Sequence, residues 1–156
     1  MASLAAYFPM WAGMVDEKQA EQLVKALRRF EHRGGLATTD GQALNQRVPG
    51  VPGTVPTQWA FPNGWAPLHF IVVKGLQRYG YHDDARRIAM KWLKNNLDWF
   101  NKNGIFLEKY NVVTPDKPPA KGVYPSQTGF GWTNAVFERF CQEFILDEEA
   151  AGEAAA

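Results

Sequence analysis

The chain has 156 residues, enough for a buried core but for no more than one domain of ordinary size. Its 17 basic and 16 acidic side chains leave a formal charge of +1, which excludes the electrostatic footprint of a nucleic-acid partner. One cysteine excludes an internal disulfide, and no apolar run reaches membrane-spanning length. The Met-Ala-Ser-Leu start has no basic segment ahead of an apolar one, so no leader is expected in this chain and a cytoplasmic setting is favoured. Aromatic content is the outlier, at 13% with six tryptophans, and points to a stacking site or an interface.

In chain order, residues 1–15 read as a helix end and a loop, interrupted by Pro9 and Gly13. Asp16 opens a helix as N-cap, with Gln19 completing a capping-box pattern. Ala20, Leu23, Val24, Leu27 and Phe30 recur at helical spacing, and Gly34-Gly35 is the predicted stop. From Leu36 to Pro62 there is no periodicity, and the prolines and glycines predict a long loop. A second helix is predicted from about Trp65 to Tyr79, with Pro67 tolerated in its first turn. It is apolar almost all round, so both faces should be covered.

Asp83 is predicted to cap a third helix ending near Phe100, with Ala85, Ile88, Ala89, Trp92, Leu93 and Leu97 inward and Arg86, Arg87, Lys91 and Lys94 outward. The short Gly80-Tyr81-His82 link makes the second and third helices an antiparallel hairpin. Prolines 115, 118, 119 and 125 predict a second long loop over 105–131. A last helix should run from near Thr133 to Leu146, burying Val136, Phe137, Phe140 and Phe144. The predicted class is all-α, with one domain over 1–146 and an acidic, alanine-rich tail over 147–156 expected to be disordered.

Thr57 to Pro67 is the chemically distinctive stretch: three large aromatics, two prolines, a Gln and an Asn, with no charge. Indole faces stack on the C–H faces of a pyranose, and amides pair with its hydroxyls, so the stretch suits a sugar. It suits equally a buried aromatic corner that tethers the next helix. The loops 36–62 and 101–134 can meet at one mouth of a helical scaffold, where sites usually sit. Glu108 is the candidate base, because it lies between Ile105-Phe106-Leu107 and Tyr110 while other carboxylates sit at solvated helix ends. The competing reading pairs Glu108 with a neighbouring Lys or Arg. His32, His69 and His82 lack metal-ligand spacing; His69 reads as a helix-face residue and His82 as a linker residue. Cys141 reads as a small core residue.

Gln58-Trp59-x-x-Pro62-Asn63-Gly64-Trp65-Ala66-Pro67 resembles the second signature of the trehalases, the inverting glycosidases of glycoside hydrolase family 37. Phe106-Leu107-Glu108-Lys109-Tyr110-Asn111-Val112 resembles the family's Glu-Lys-Tyr-Asp-Val segment, and Tyr124-Pro125-x-Gln127-x-Gly129-Phe130-Gly131-Trp132-Thr133-Asn134 its closing block. Ala5-Ala6-Tyr7-Phe8-Pro9 and Gly34-Gly35-Leu36-Ala37-Thr38-Thr39 are similar to the pieces that precede the signature. The segments follow the family's order over roughly 3–146.

The resemblance implies the last third of an (α/α)6 barrel, in which antiparallel helix hairpins form two concentric layers. It makes Glu108 the general base and implies Trp59, Asn63, Trp65, Tyr110, Phe130 and Trp132 as sugar-facing residues. The implied substrate is a glucose-containing disaccharide, trehalose or similar, with no cofactor, no metal, no nucleic acid and no membrane. The family's acid is an Asp upstream of every resembled segment, so no acid is assigned and the chain alone is expected to be inactive. A missing N-terminal part of the barrel, or self-association, is the expected protein partner. Ala60 stands where the signature has Asp and Val123 where the closing block has Glu, so two polar contacts are replaced. Asp40 to Val55 reads as an insertion. Two other classes stay open: a carbohydrate-binding pseudo-enzyme, and a structural fragment that works only when docked.

Overall fold

The structure, a computed structural model, describes residues 2–41, 58–120 and 124–147. The inserted segment beyond Gly41, Val123 and the tail from 148 therefore lie outside the described residues.

A 3-10 turn over Leu4–Tyr7 runs into α1 (Phe8–Ala12), which Gly13 ends in the left-handed conformation. Next comes α2 (Glu17–Ala26), closed by the predicted capping box: Gln19 N donates to Asp16 Oδ1 at 2.7 Å and Asp16 N to Gln19 Oε1 at 2.9 Å. A 3-10 turn over Leu27–Arg29 ends the helix sooner than the sequence suggests. Glu31–His32 (β1) and Gly35–Leu36 (β2) then form a small antiparallel ribbon, so Gly34-Gly35 lies at its turn and is not a helix stop. The physical reason lies across the fold, where Arg87 Nε and Lys91 Nζ draw Glu31 towards them at 2.9 and 2.7 Å.

Asn63–Trp65 forms the short strand β3, and Trp65 passes directly into α3 (Ala66–Arg78) as its extended N-cap, with Pro67 in the first turn. α4 (His82–Asn103) packs back on α3 as the other arm of the hairpin and ends at left-handed Gly104. Its N-cap is Tyr81, so Asp83 sits inside the first turn and His82 is helical, not a linker. Leu97 faces outward, 47% exposed, while Asn95 and Asn96 are buried. Asn95 Nδ2 donates to Gly34 O at 3.1 Å, turning that face of α4 towards the β1–β2 ribbon. Lys109–Asn111 (β4) lies within the second long loop. α5 (Gly131–Cys141) continues as a π-helical turn over Gln142–Leu146, burying Val136, Phe140 and Phe144 with Phe137 half-buried. Glu143 on that turn is tied to Lys74 and Gln77 of α3.

No residue of α3 from Ala66 to Gln77 is exposed, because α1, α4, α5 and the Leu4–Tyr7 turn enclose it. The apolar circumference that called for cover is covered within this chain. The large apolar side chains that do face outward include Phe8, Trp11 and Met14 near the start, and Leu97, Phe100 and Ile105 where α4 ends.

His69, fully buried on α3, is the joint of this arrangement and not the face residue the sequence suggested. Leu36 N donates to its Nε2 at 2.8 Å, so Nε2 is the bare nitrogen and Nδ1 carries the hydrogen given to Trp65 O at 2.8 Å. The ring stacks on Trp92 of α4 with centroids 4.0 Å apart. Two glycines make room for it. A Cβ on Gly35, whose φ is 124°, would sit 2.4 Å from Nε2, and one on Gly64 would sit 2.5 Å from Val112 Cγ1.

Burial pushes the His69 pKa down to about 4, despite the backbone bond from Nδ1. A folded pKa below the unfolded value means that the fold disfavours the proton. The stability is complete above about pH 6.5 and drains away as pH falls towards 4, by roughly 3 kcal/mol. Urea unfolding of the parent and of His69→Gln across pH 7 to 4 should show the parent losing that much more than the variant. Parallel curves would show that His69 does not titrate with unfolding.

Candidate functional site

The two long loops meet. β3 pairs antiparallel with β4, Asn63 opposite Asn111, Gly64 opposite Tyr110 and Trp65 opposite Lys109. Side chains lock the end of the short ribbon where Asn63 and Asn111 face each other. Asn63 Oδ1 accepts from Ala120 N at 2.9 Å, and Asn111 Oδ1 accepts from Thr114 N at 2.8 Å. The Phe61–Pro62 peptide leading into β3 is cis.

The ribbon places Glu108, one residue before β4, against Gln58 at the near end of the first loop. Glu108 is wholly buried. Its Oε1 accepts from Gln58 Nε2 at 2.7 Å and from Lys109 Nζ at 2.5 Å, and its Oε2 from Tyr124 OH at 3.4 Å. Thr133 Oγ1, in the first turn of α5, donates to the Glu108 carbonyl at 3.4 Å. Lys109 is equally buried, and its ammonium lies 5.4 Å from the Trp65 ring and 5.6 Å from that of Tyr124. A carboxylate is tolerated in such a place only when paired and hydrogen-bonded, and Glu108 is both.

Beside this pair stands a tryptophan cluster. Trp59 and Trp65 lie parallel with centroids 3.9 Å apart, and Trp132 meets both edge-on at 6.0 and 5.8 Å. Phe130 leans on Trp132 at 4.9 Å. Trp59 is 42% and Trp132 37% exposed, whereas Asn63, Trp65 and Tyr110 are each 1% exposed. The last three spend their polar atoms on the protein. Asn63 Nδ2 reaches the carbonyls of Gln58 and Ala120, and Trp65 Nε1 donates to Gln58 O at 3.2 Å. Tyr110 OH accepts from Leu107 N at 2.9 Å, and burial pushes its phenol up to about 12. Of the residues expected to face a sugar, Trp59, Trp132 and half-buried Phe130 are the accessible ones, with Asn63, Trp65 and Tyr110 behind them.

Gln58 was read from the sequence as an amide for sugar hydroxyls and not as a partner of Glu108, and Lys109 and Tyr124 were not singled out, although each lies in a segment that was. Their signal was adjacency to Trp59, Glu108 and Pro125. Of the other loop carboxylates, Asp40 accepts from Arg29 through Oδ2 at 2.5 Å while its buried Oδ1 has no partner among the described residues, and Asp116, 66% exposed at its side chain, lies 4.0 Å from Arg33. Among the described residues no group of His, Cys, Asp and Glu could hold a metal ion, and no helix is long and apolar enough to cross a membrane.

A family model described as Trehalase matches residues 1–144. A probable trehalase of Oryza sativa subsp. japonica is 36% identical over 149 residues, which cover 88% of this chain and 25% of the relative. A cytosolic neutral trehalase of Emericella nidulans is 37% identical, with 86% of this chain and 19% of the relative covered. The chain thus spans about a quarter or less of the length of these relatives. Among solved structures, the neutral trehalase of Saccharomyces cerevisiae superposes with a TM-score of 0.72 at 32% identity, covering 90% of this chain and 23% of that one. The fold is all-α and forms part of an (α/α)6 barrel, with the α3–α4 hairpin as one of its helix pairs.

The buried pair can be tested without any ligand. Lys109→Met leaves the Glu108 carboxylate with only an amide and a distant phenol, and should cost about 3 kcal/mol in urea unfolding. Adding Glu108→Gln should recover part of that loss, since the orphaned charge is gone. Strictly additive losses would mean that the two side chains do not support each other.

Proposed function

This chain belongs to the trehalase family, and from that membership we propose that it supplies the general-base side of a site that hydrolyses an α-glucosidic bond, such as that of trehalose, with inversion. The observation that carries this reading is Glu108, a wholly buried carboxylate held by Gln58, Lys109 and Tyr124 beside exposed tryptophans. Glu108 takes a proton from water, whose oxygen attacks the anomeric carbon from the face opposite the leaving sugar. A second carboxyl, the acid, protonates the leaving oxygen from the other side. That acid is an Asp in the family, lies upstream of the segments resembled here, and comes from outside this stretch of barrel. Acetal hydrolysis by two carboxyls needs no cofactor.

Trp59, Trp132 and Phe130 offer rings to the sugar, and Trp65, Tyr110 and Asn63 act from behind by fixing the loop that carries them. Residues 1–146 form the partial barrel domain. The outward apolar side chains, Phe8, Trp11, Met14, Leu97, Phe100 and Ile105, are the surfaces that the rest of a barrel or a second copy covers. Sedimentation of the isolated chain should therefore show self-association, or hydrophobic dyes should bind it; a compact, dye-silent monomer would refute this.

A second reading, a carbohydrate-binding module without hydrolysis, draws on Trp59 and Trp132, whose exposed rings can stack on a sugar whether or not an acid is supplied. One substitution separates the readings and a second tests what they share. Glu108→Gln should lower trehalose hydrolysis by about a hundredfold or more in any assembly that performs it, with glucose binding retained. Turnover within twofold of the parent removes Glu108 from the reaction. Trp59→Ala should weaken glucose binding and leave the helical circular dichroism intact under either reading; an unfolded variant would make Trp59 a core residue.

A further inference from the structure

Gln58 carries an unexplained atom. Its side chain is 6% exposed and its Nε2 is spent on Glu108, yet its Oε1 is buried with no hydrogen-bond partner among the described residues. A buried carbonyl acceptor left empty forfeits its hydration with nothing in return, so such an atom calls for a donor. The rest of the residue is held firmly. Its backbone carbonyl receives both Trp65 Nε1 at 3.2 Å and Asn63 Nδ2 at 3.5 Å, and both donors belong to β3. β3 in turn pairs with β4, the strand that follows Glu108. The backbone of Gln58 is thus held by the ribbon, and its side-chain amide by Glu108.

The two oxygens of Glu108 are unequally loaded. Oε1 takes two short bonds, from Gln58 and Lys109, while Oε2 has one contact of 3.4 Å from Tyr124. Oε2 is the oxygen with capacity left to accept a proton.

We propose that Gln58 is a positioning residue that serves the site with both ends of its amide: Nε2 fixes Glu108 through Oε1, and its own Oε1 receives a hydrogen from an O–H donor, the attacking water or a sugar hydroxyl. This rests on the base role given to Glu108 above. In the step itself one O–H bond of the water breaks and its proton passes to Glu108 Oε2. The water oxygen forms the new bond to the anomeric carbon as the glycosidic C–O bond breaks, and the leaving oxygen takes its proton from the carboxylic acid supplied by the remainder of the barrel. Gln58 neither gains nor loses a proton.

Crystal structures of this chain, without ligand and soaked in D-glucose, test the assignment directly. An oxygen within hydrogen-bonding distance of Gln58 Oε1 is expected in both. A water in both marks the attacking water, and replacement by a glucose hydroxyl in the second marks a sugar contact. A dry Oε1 in both, or one bonded to a protein donor, overturns the proposal. Kinetics on trehalose in an assembly that hydrolyses it give the second arm. Gln58→Leu should lower kcat tenfold or more with KM little changed if water is the donor. A rise in KM with kcat kept points to the sugar hydroxyl. Unchanged kcat and KM in a variant that melts like the parent would overturn the proposal. If no assembly hydrolyses trehalose, the base role of Glu108 fails, and an occupied Oε1 in the crystals still stands as a hydroxyl-binding position.

Discussion

The three-residue pairing of Asn63–Trp65 with Lys109–Asn111 is what turns two irregular loops into one object. Loops of this length would ordinarily sample many shapes, at an entropic cost of about 1–2 kcal/mol for each residue that is fixed. A ribbon this short cannot meet that cost through its own ladder. The support comes from behind, where His69 bonds to Leu36 N and Trp65 O and stacks on Trp92. One imidazole thereby holds the β1–β2 ribbon, the entrance to α3 and the long helix α4 in register. Gly35 and Gly64 are the positions that let it in.

From that joint the site follows by adjacency. Trp65 ends β3, caps α3 and stacks under Trp59, so one residue sets the strand, the helix start and the inner layer of the tryptophan cluster. Opposite it, Lys109 brings its charge beneath Trp65 and beside Glu108. The ion pair is between neighbours in sequence, which closes almost no loop. Its geometry is instead imposed by burial of both side chains between the ribbon, Tyr124 and the start of α5. Buried ion pairs contribute little net stability compared with apolar packing, so this pair persists because removing either partner would strand a buried charge.

Much of this was legible in the sequence where a single local rule decides. The Asp16–Gln19 capping box, Pro67 in the first turn of α3 and Gly104 after α4 are each set by neighbours a few residues away, and so is the pairing of Glu108 with the adjacent Lys109, the competing reading of that carboxylate. What escaped depends on contacts across the fold. β3 and β4 are too short to show an alternating pattern. Gly34-Gly35 has the composition of a helix stop, and contacts across the fold, from Arg87 and Lys91 to Glu31 and from Asn95 to the Gly34 carbonyl, make it a ribbon turn. Leu97 was placed inward by hydropathy, yet Asn95 takes a buried place because its partner, the carbonyl of Gly34, is a backbone atom that no sequence pattern announces. His69 looked like a polar interruption in an apolar helix and is the most constrained side chain in it. Asn63, Trp65 and Tyr110 had the chemistry of sugar contacts, but backbone groups already occupy their polar atoms.

The division between exposed and buried rings also bears on what the fold leaves to others. α3 carries the most apolar circumference in the chain, and its own neighbours cover it from Ala66 to Gln77. Had this stretch been an open slice through a barrel, that helix would have been the first to show bare apolar surface. The outward side chains are instead found at edges: near α1, where α4 ends, and at the tryptophan cluster. Edges are where a further helix pair would dock, and the tryptophan cluster is where two loops would face a cavity. The core of this segment therefore closes on itself around the hairpin and the His69 joint, and its outward apolar side chains gather away from α3.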